Sequence, residues 1–523
     1  MPDFIIYRHY FGFCRCENKN KKFRKVRKKP HAKRKGRRPV SVPRERRLWY
    51  TYSMNKKYTL TKFNSFEALL SDFEKNAPER PAVVFESGGK PCFLSRSGFA
   101  SMAREKAKEL SASGKKCPGI VCDGSLPCLV AIFASALAGL QTVLLDENAS
   151  EELLRGQIMQ TDIDMLLCSD EDLLGELESA LTRGPGTVSG ERDILFFTSG
   201  TTSSSKAVVL TDKSLMAAAF SGSSMLPLSE EDILMCMLPL NHVFGLVCGV
   251  LWGMQCGAPV ALGRGPRYYA QDLSFYRPTV LSAVPLLLSF LLQHRLKNSE
   301  LRLVLVGAGA CPPSLLEAAA QQKLAVSFGY GLTETSSGVA ISVPGTPDFD
   351  PFAMEICPED TVSLAEDGEI LVRSESCMMK GYYGHPEDTE KVLKEGVLYT
   401  GDLGRWDEKG RLRIIGRKKE ILVLRDGTKI FLPEYEARIG AALPGEDFTV
   451  LEKDGRPVLV LYDKEAAQAS ESHMAKARSL IQLRLKEVMA ALPRGQQLGG
   501  ILFTALPLPR TATGKVRRWE INI

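Results

Sequence analysis

The first two-thirds of the chain alternates between short apolar runs and longer segments in which apolar residues recur every three or four positions. The short runs are typical of buried strands, and the longer segments are typical of helices packed on a sheet. Helical patterns cover residues 99–110 and 128–138, and Ser65 is placed to cap an earlier helix. The alternation predicts parallel β-α-β units. The strand-like runs are residues 81–85, 119–122, 142–146, 193–197, 207–210, 259–262, 280–284 and 303–307.

The pattern changes beyond about Gly345. Short alternating segments at 369–373 and 411–415 follow turn sequences at 367–368 and 409–410. This spacing predicts an antiparallel sheet. From about Glu420 a smaller α+β segment runs to the end of the chain and includes a long amphipathic helix near 475–492.

Composition limits the class of protein. A chain of 523 residues with 44% hydrophobic and 25% charged residues is long enough for more than one globular domain. It has no uninterrupted apolar stretch long enough to span a bilayer. The 13 cysteines are scattered and form no C-x-x-C pair, which favours reduced, packed thiols in a cytoplasmic protein.

The net charge of +7 is unevenly distributed. Residues 1–53 hold 18 Lys and Arg against 3 Asp and Glu, so they carry +15 and leave −8 for residues 54–523. The segment has no secretory signal pattern. We interpret it as a disordered tail or a misassigned start, with translation beginning at Met54. Binding to nucleic acid or to anionic lipid through this segment is an alternative.

The first candidate for chemistry is the loop between the strand-like runs 193–197 and 207–210. Its eight residues from Thr198 to Ser205 are small, seven carry hydroxyl groups, and Lys206 follows directly. Small residues let backbone N–H groups approach a polyanion, and the hydroxyls and the lysine add donors and charge. The loop therefore predicts phosphate binding, with a flexible Ser/Thr linker as the alternative. It is not a Walker A loop, because no second glycine directly precedes the lysine.

A second candidate is the segment from Gly329 to Glu334. Tyr330 lies between two glycines and could stack on a purine, while Thr333 offers a hydroxyl group. The carboxylate of Glu334 is a suitable ligand for Mg²⁺, a hard cation that bridges phosphates. A glycine-rich turn with a surface glutamate is the alternative.

A third candidate is Asp402, which follows Gly401. A carboxylate after a tight glycine turn could accept hydrogen bonds from both hydroxyls of a ribose. An aspartate in such a position is more often part of the turn itself.

The segment 198–202, together with Lys206, closely resembles the nucleotide loop of the adenylate-forming superfamily, which includes acyl-CoA synthetases, luciferases and peptide-synthetase adenylation domains. The resemblance covers roughly residues 65–520. The sequence departs from the usual loop at Ser203 and Ala207, where glycine is common, and at Ser205, where proline is common. Further matching motifs follow in order at 327–335, 399–403, 416–420 and 508–518.

The resemblance implies a role for each matching residue. Tyr330 would face adenine, Thr333 the α-phosphate, Glu334 the metal ion, and Asp402 and Arg417 the ribose. Lys515 would bridge the substrate carboxylate and the α-phosphate, so the implied catalytic residues are Lys515, Thr333, Glu334 and Lys206. The implied ATP-binding residues are Thr198, Ser199, Gly200, Thr201, Thr202, Lys206, Gly329, Tyr330, Gly331, Thr333, Asp402 and Arg417.

The segment Leu238–Gly245 resembles the one that lines the carboxylate pocket in activators of fatty and aryl acids. It places His242, Phe244 and Gly245 in the acyl pocket, although His242 could equally be a packed core histidine. No aspartate lies between residues 234 and 251, which favours a substrate without an α-amino group.

The resemblance also implies a movable C-terminal domain. Lys419 falls at the family's hinge, and Gly427 on the side that approaches the thiol acceptor. The expected fold is α/β: a large N-terminal domain of doubly wound parallel-type sheets plus a small antiparallel β-barrel-like subdomain, then a smaller mobile α+β domain. We place the large AMP-binding domain at residues 54–417 and the small domain at 418–523.

These resemblances predict an AMP-forming acid–thiol ligase that uses ATP, Mg²⁺ and coenzyme A. Its partners would be a small-molecule carboxylic acid, a fatty acid or another acid that is not an amino acid, and coenzyme A. An acyl carrier protein in trans, with its phosphopantetheine, is an alternative acceptor, as is a stand-alone adenylation role in a peptide or polyketide pathway. A decayed enzyme body with a nucleic-acid-binding arm is less favoured, because Glu334, Asp402, Arg417 and Lys515 are all intact.

Overall fold

The computed structural model describes nine stretches of the chain, and the basic segment 1–53 lies outside them. The described residues are 60–181, 192–198, 205–296, 300–309, 311–346, 348–424, 429–466, 470–510 and 516–521.

Strands and helices are numbered here in chain order. The strands up to residue 417 are β1 (Pro81–Ser87), β2 (Lys90–Ser95), β3 (Pro118–Cys122), β4 (Thr142–Asp146), β5 (Met165–Leu167), β6 (Asp193–Phe197), β7 (Ala207–Thr211), β8 (Leu234–Cys236), β9 (Val260–Leu262), β10 (Val280–Ala283), β11 (Leu303–Val306), β12 (Ala325–Leu332), β13 (Ser337–Ile341), β14 (Glu355–Ile356), β15 (Thr361–Leu364), β16 (Glu369–Arg373), β17 (Gly381–Tyr382), β18 (Leu393–Lys394), β19 (Val397–Trp406) and β20 (Leu412–Arg417). Those after residue 417 are β21 (Ile421–Val423), β22 (Lys429–Phe431), β23 (Phe448–Lys453), β24 (Arg456–Tyr462) and β25 (Gly500–Thr504).

The α-helices lie mostly between consecutive strands. They are α1 (Phe66–Lys75), α2 (Arg96–Ala112), α3 (Leu126–Leu137), α4 (Glu151–Gln160), α5 (Glu171–Leu177), α6 (Asp212–Ser223), α7 (Trp252–Gln255), α8 (Tyr269–Phe275), α9 (Pro285–Gln293), α10 (Pro313–Gln321), α11 (Pro386–Val392), α12 (Leu432–Ala442) and α13 (Glu471–Ala490). Ser65 caps α1 as predicted, because its side chain accepts a hydrogen bond from the backbone N–H of Ala68.

Two large sheets form the first part of the protein. One has nine strands in the order β14-β13-β12-β11-β10-β8-β9-β1-β2, and the other has six in the order β17-β7-β6-β4-β3-β5. Pairing is parallel from β12 to β1 in the first sheet and from β6 to β5 in the second. The outer pairs are antiparallel. The predicted α/β fold class is therefore confirmed, with antiparallel edges added to the parallel centres.

The two sheets share one hydrophobic core. Side chains alternate along a strand, so Ile194 and Phe196 of β6 enter the shared core while Leu195 and Phe197 enter a separate cluster on the other face. The nine-stranded sheet divides its residues between two cores in the same way. In the shared core the ring of Phe133 stacks on Phe66 with centroids 4.2 Å apart and meets Phe99 edge-on at 5.1 Å. These rings join α1, α2 and α3.

Three smaller sheets follow. β15, β16, β18, β19 and β20 form a five-stranded antiparallel sheet. After residue 420, β21 pairs with β22, and β23, β24 and β25 form a three-stranded sheet covered by α12 and α13. The residues from Leu422 to Ile501 have their own hydrophobic core. The exact domain boundary at 417/418 stays a prediction.

Two local features were not recognised as strands from the sequence. The segment around Tyr330, for which a glycine-rich turn was an alternative, lies within strand β12. Asp402 follows Gly401, whose φ of 71° is left-handed as expected for a tight turn, but both residues lie inside β19, and the pairing of β19 with β16 and with β20 shifts register nearby. In both places glycines interrupt the apolar pattern (Gly329 and Gly331 in β12, Gly401 and Gly404 in β19), so the local residue pattern did not reveal the strand.

A buried carboxyl group between β14 and β15 should make the stability depend on pH. Both carboxylate oxygens of Asp360 are shielded from solvent, and neither has a hydrogen-bond partner of normal geometry among the described residues. Burial raises the pKa of this carboxyl to about 7, from the 3.8 of an exposed aspartate. The folded state thus keeps its proton between pH 4 and 7 while the unfolded chain releases it. Stability from this group is fully present below about pH 4 and is lost as the pH rises to about 7.

Replacing Asp360 by Asn should remove this loss. We expect Asp360→Asn to stabilise the protein at pH 8 by on the order of 2 kcal/mol, and to change stability little at pH 4.5, where Asp360 is already neutral. Thermal unfolding at the two pH values measures this. Asp454→Asn, at an exposed turn position with a φ of 55°, is the matched control and should be neutral at both. An equal shift at both pH values for Asp360→Asn would contradict the prediction.

Candidate active site

The predicted phosphate loop connects two antiparallel strands, β6 and β7, and so closes a β-hairpin. At its base the backbone N–H of Thr198 donates to the carbonyl oxygen of Lys206 at 3.0 Å. The N–H of Lys206 reaches the hydroxyl of Thr198 at 3.4 Å. The predictions for Ser199, Gly200, Thr201 and Thr202 fall outside the described residues.

The ammonium group of Lys206 has two partners from a later part of the chain. It forms an ion pair with Asp388 of α11 at 2.7 Å, and it lies 5.1 Å from the centre of the Tyr382 ring. Both partners arrive because β17 pairs with β7, directly beside the hairpin. Neither was predicted from the sequence, and nothing in their local sequence pattern marks them.

Glu334 is held on the other side of the same tyrosine. The Tyr382 hydroxyl donates to one carboxylate oxygen of Glu334 at 2.8 Å. The backbone carbonyl of Glu334 accepts from the N–H of Met379 at 2.8 Å. Glu334 and Thr333 are both half-buried in a single 3₁₀ turn at the end of β12. Tyr382 therefore connects the predicted metal ligand with the predicted phosphate-binding lysine.

Strand β12 carries Tyr330 between two glycines with different roles. A Cβ on Gly331 would lie 1.7 Å from the carbonyl oxygen of Ser337, so only glycine allows β12 and β13 to approach this closely. A Cβ on Gly329 would meet only ordinary contacts. Gly331 therefore fixes the end of the strand from which Tyr330 and Glu334 project.

The predicted adenine and ribose residues touch one another. The Tyr330 hydroxyl donates to one carboxylate oxygen of Asp402 at 2.9 Å, and Nε of Arg417 lies 3.0 Å from the other. Asp402 is 4% exposed. Burial raises the pKa of Asp402, an effect that Arg417 and the Tyr330 hydroxyl oppose. Arg417 is directly opposite Asp402 in the pairing of β19 with β20.

The predicted acyl segment is built by close backbone packing. A Cβ on Gly245 would lie 2.1 Å from the carbonyl oxygen of Pro239, which requires glycine at that position. The helix Phe244–Leu251 begins at the end of this segment and contains Gly245. It has π-type hydrogen bonding, a form often found at functional sites. The Phe244 ring packs on Gly307, 3.2 Å from where a Cβ would stand. Gly307 in turn adjoins the carbonyl of Gly329, so the acyl segment reaches the nucleotide strand.

His242 is solvent-accessible, not a packed core residue. Its ring is nevertheless surrounded by enough protein that desolvation lowers its pKa, partly offset by the charge of Asp146. The imidazole is therefore neutral near pH 7. A neutral ring next to the Phe244 segment suits an uncharged part of a substrate.

The predicted hinge follows β20 directly. The backbone of Lys419 lies in the 3₁₀ turn Lys418–Glu420. Lys418 is paired with Asp367 at 2.6 Å and with Glu369 at 2.8 Å, and the other oxygen of Glu369 accepts from the N–H of Gly401 at 2.8 Å. The predictions for Gly427 and Lys515 fall outside the described residues.

The donor set around Glu334 suits a magnesium ion shared with a nucleotide. Among the described residues, no cluster of three or more His, Cys, Asp or Glu side chains forms a metal site made of protein ligands only. Mg²⁺ typically takes one or two carboxylates and completes its shell with phosphate oxygens and water. Glu334, connected through Tyr382 to the lysine predicted to bind phosphate, fits that pattern.

The fold and its site define an adenylate-forming enzyme, an AMP-forming acid–thiol ligase of the acyl-CoA synthetase type. A family model described as "AMP-binding enzyme" matches residues 70–383, and the chain belongs to that family. The resemblance seen in the motifs is thereby confirmed. Within the described residues, no helix is both long and apolar enough to cross a membrane.

Curated relatives of the chain are CoA ligases. The 2-succinylbenzoate–CoA ligase of Bacillus velezensis is 28% identical over 486 residues, covering 85% of this chain and 95% of the relative. Long-chain-fatty-acid–CoA ligase 5 of Rattus norvegicus is 30% identical over 358 residues, covering 56% of this chain and 51% of the relative.

Among solved structures, the O-succinylbenzoate coenzyme A synthetase of Bacillus subtilis in complex with AMP has the same fold. It has a TM-score of 0.71 and 23% identity, and the alignment covers 87% of this chain and 98% of that one.

Proposed function

We propose that this enzyme activates a carboxylic acid without an α-amino group and transfers it to the thiol of coenzyme A. In the first step the substrate carboxylate attacks the α-phosphorus of ATP, which forms an acyl-adenylate and expels pyrophosphate. In the second step the pantetheine thiol attacks the acyl carbon, which forms the thioester and releases AMP and a proton. The observation that carries the proposal is the convergence of Tyr330, Asp402 and Arg417 in direct contact.

The first step needs placement and charge neutralisation more than proton transfer, because a carboxylate nucleophile has no proton to remove. Asp402 and Arg417 would hold the ribose and the Tyr330 ring the adenine. Lys206 would meet phosphate oxygens, and Thr333 the α-phosphate. Glu334 would hold a magnesium ion, which would neutralise charge on the phosphates.

The acyl site favours an apolar or aromatic acid. Its described side chains include the Phe244 ring and the neutral imidazole of His242, and the segment 234–251 has no aspartate to pair with an α-amine. Fatty acids and aryl acids both fit these features. The names of the relatives include both kinds of substrate.

The test is pyrophosphate release from MgATP across a panel of acids, followed by thioester formation. The panel includes fatty acids of increasing length, benzoate, 2-succinylbenzoate, malonate and several amino acids. We expect turnover with fatty or aryl acids and none with amino acids. Coenzyme A and a phosphopantetheinylated carrier protein are compared as acceptors. Turnover with amino acids alone, or no acid-dependent pyrophosphate release, would overturn the proposal.

The assignment of Asp402 can be tested separately. A ribose contact exists in both the ground state and the transition state, so its loss weakens binding uniformly. We expect Asp402→Ala to raise KM for ATP by about tenfold or more and to change kcat by less than about threefold. Asp402→Asn, which keeps one acceptor oxygen, should have a smaller effect on KM. Steady-state kinetics with varied ATP measures both. A large fall in kcat at an unchanged KM would contradict the assigned role.

A further inference from the structure

The charge of Lys206 is already neutralised by another part of the chain. Its Nζ lies 2.7 Å from one carboxylate oxygen of Asp388, and both side chains are about a quarter exposed. A phosphate that approached this lysine would therefore find the Asp388 carboxylate already next to the ammonium group. ATP cannot use the Lys206 charge without displacing that carboxylate or sharing the lysine with it.

Asp388 has a second cationic partner. Its carboxylate would therefore still be in an ion pair after a phosphate displaced it from Lys206. Its other carboxylate oxygen lies 2.7 Å from Nζ of Lys391, one turn further along α11. The two lysines together keep the pKa of Asp388 low, at about 2, with Lys206 the larger influence. Asp388 thus remains ionised throughout the working range of pH, so the competition is between two permanent anions.

Lys206 likewise has a contact that does not depend on Asp388. Its ammonium group lies over the ring of Tyr382, whose hydroxyl is fixed by Glu334. A cation over an aromatic face is attracted by the ring quadrupole. Loss of the ion pair should therefore free the charge of Lys206 while the ring keeps the side chain near its present position.

We propose that Asp388 occupies the phosphate-binding position on Lys206 in the nucleotide-free enzyme and gives it up to a phosphate of ATP, while remaining paired with Lys391. This inference rests on the proposed function, since it takes Lys206 as a phosphate ligand. The exchange weakens polyphosphate binding, because the Lys206–Asp388 ion pair must first be broken. It also lets Asp388 return to Lys206 as pyrophosphate leaves, which assists product release.

The experiment measures binding of MgATP and of inorganic pyrophosphate to the full chain by calorimetry. We expect Asp388→Asn to lower both dissociation constants by about threefold to fivefold, the size of effect expected for a partly exposed ion pair. Lys391→Met should raise them by about twofold, because Asp388 then has only Lys206 as a partner. Asp388→Asn should also steepen the salt dependence of pyrophosphate binding, since the charge on Lys206 is no longer neutralised.

Glu387→Gln is the matched control. It changes the net charge by the same amount on the same helix, at an exposed neighbouring position, and should shift the dissociation constants by less than about twofold. If the Asp388→Asn variant binds MgATP and pyrophosphate no more tightly than the wild type, the proposed exchange is overturned. Asp388 would then serve only to hold Lys206 in place. Wild-type protein that binds neither MgATP nor pyrophosphate would instead overturn the proposed function, and the exchange with it.

Discussion

Replacing Lys515 by Ala is expected to slow pyrophosphate release by roughly a thousandfold, equivalent to about 4 kcal/mol. By its resemblance to the family motif, this lysine would bridge the substrate carboxylate and the α-phosphate, where negative charge accumulates during attack. A charge-assisted contact to the reacting oxygens is strongest in the transition state, so its loss should appear in kcat. Thioester formation from a supplied synthetic acyl-adenylate should stay within about threefold of the wild type, because that reaction needs no such contact.

The complementary substitution is Lys419→Pro at the proposed hinge. Proline fixes φ, so it should hinder rotation of the small domain while leaving the first orientation accessible. We expect thioester formation to fall much more than pyrophosphate release. Lys486→Ala, at an exposed lysine on α13, is the control for loss of a positive charge from the same part of the chain. Equal losses in both half-reactions for both variants would refute the two-orientation mechanism.

Gly331→Ala is expected to abolish adenylation, with a loss of stability on the order of 3 kcal/mol. The added methyl group would overlap the carbonyl oxygen of Ser337, which is 1.7 Å from the ideal Cβ position. The overlap involves backbone on both sides, so β12 must move away from β13. Tyr330 and Glu334, on either side of Gly331, would leave their positions together. Thermal unfolding and pyrophosphate release measure the two effects.

The chain supplies a control for this substitution on the facing strand. Gly338 pairs with Gly331 across the two strands, but a Cβ there would meet nothing nearer than a side-chain carbon of Ile341 at 3.9 Å. Gly338→Ala should therefore leave stability and activity close to those of the wild type. Comparable damage from the two substitutions would show that the space around Gly331 is not what requires glycine there.

The sequence identified site residues where several side chains of suitable chemistry lie next to one another in the chain. Lys206 lies in a short motif whose residue types already suit phosphate, whereas the roles proposed for Glu334 and Asp402 needed the resemblance of their motifs to the family as well. The strands before and after the phosphate loop were also predicted, because a fully buried strand is a continuous apolar run. The antiparallel pairing of those two strands was not predicted, since apolar runs carry no information about direction.

Other features of the site depend on contacts that form only when strands and helices come together in the fold. Tyr382 and Asp388 reach Lys206 only through the pairing of β17 with β7, and a two-residue strand leaves no periodic signal. The need for glycine at Gly331 arises from the backbone of Ser337 after a tight reversal. The π-type helix after Phe244 was also missed, although glycines at every fourth position in that region (245, 249 and 253) are a sign of close helix packing.

A single carboxylate, that of Glu369, serves both the backbone of Gly401, next to the proposed ribose ligand, and Lys418, at the start of the proposed hinge. A rotation that carries Lys418 away would leave this buried carboxylate without its cation. The loss of this ion pair would destabilise the backbone of β19 at Gly401, next to Asp402. Thermodynamic reciprocity then requires that bound nucleotide bias the domain orientation by the same free energy with which that orientation alters nucleotide affinity. Substitutions at Glu369 would then alter the affinity for ATP and the balance between the two orientations together.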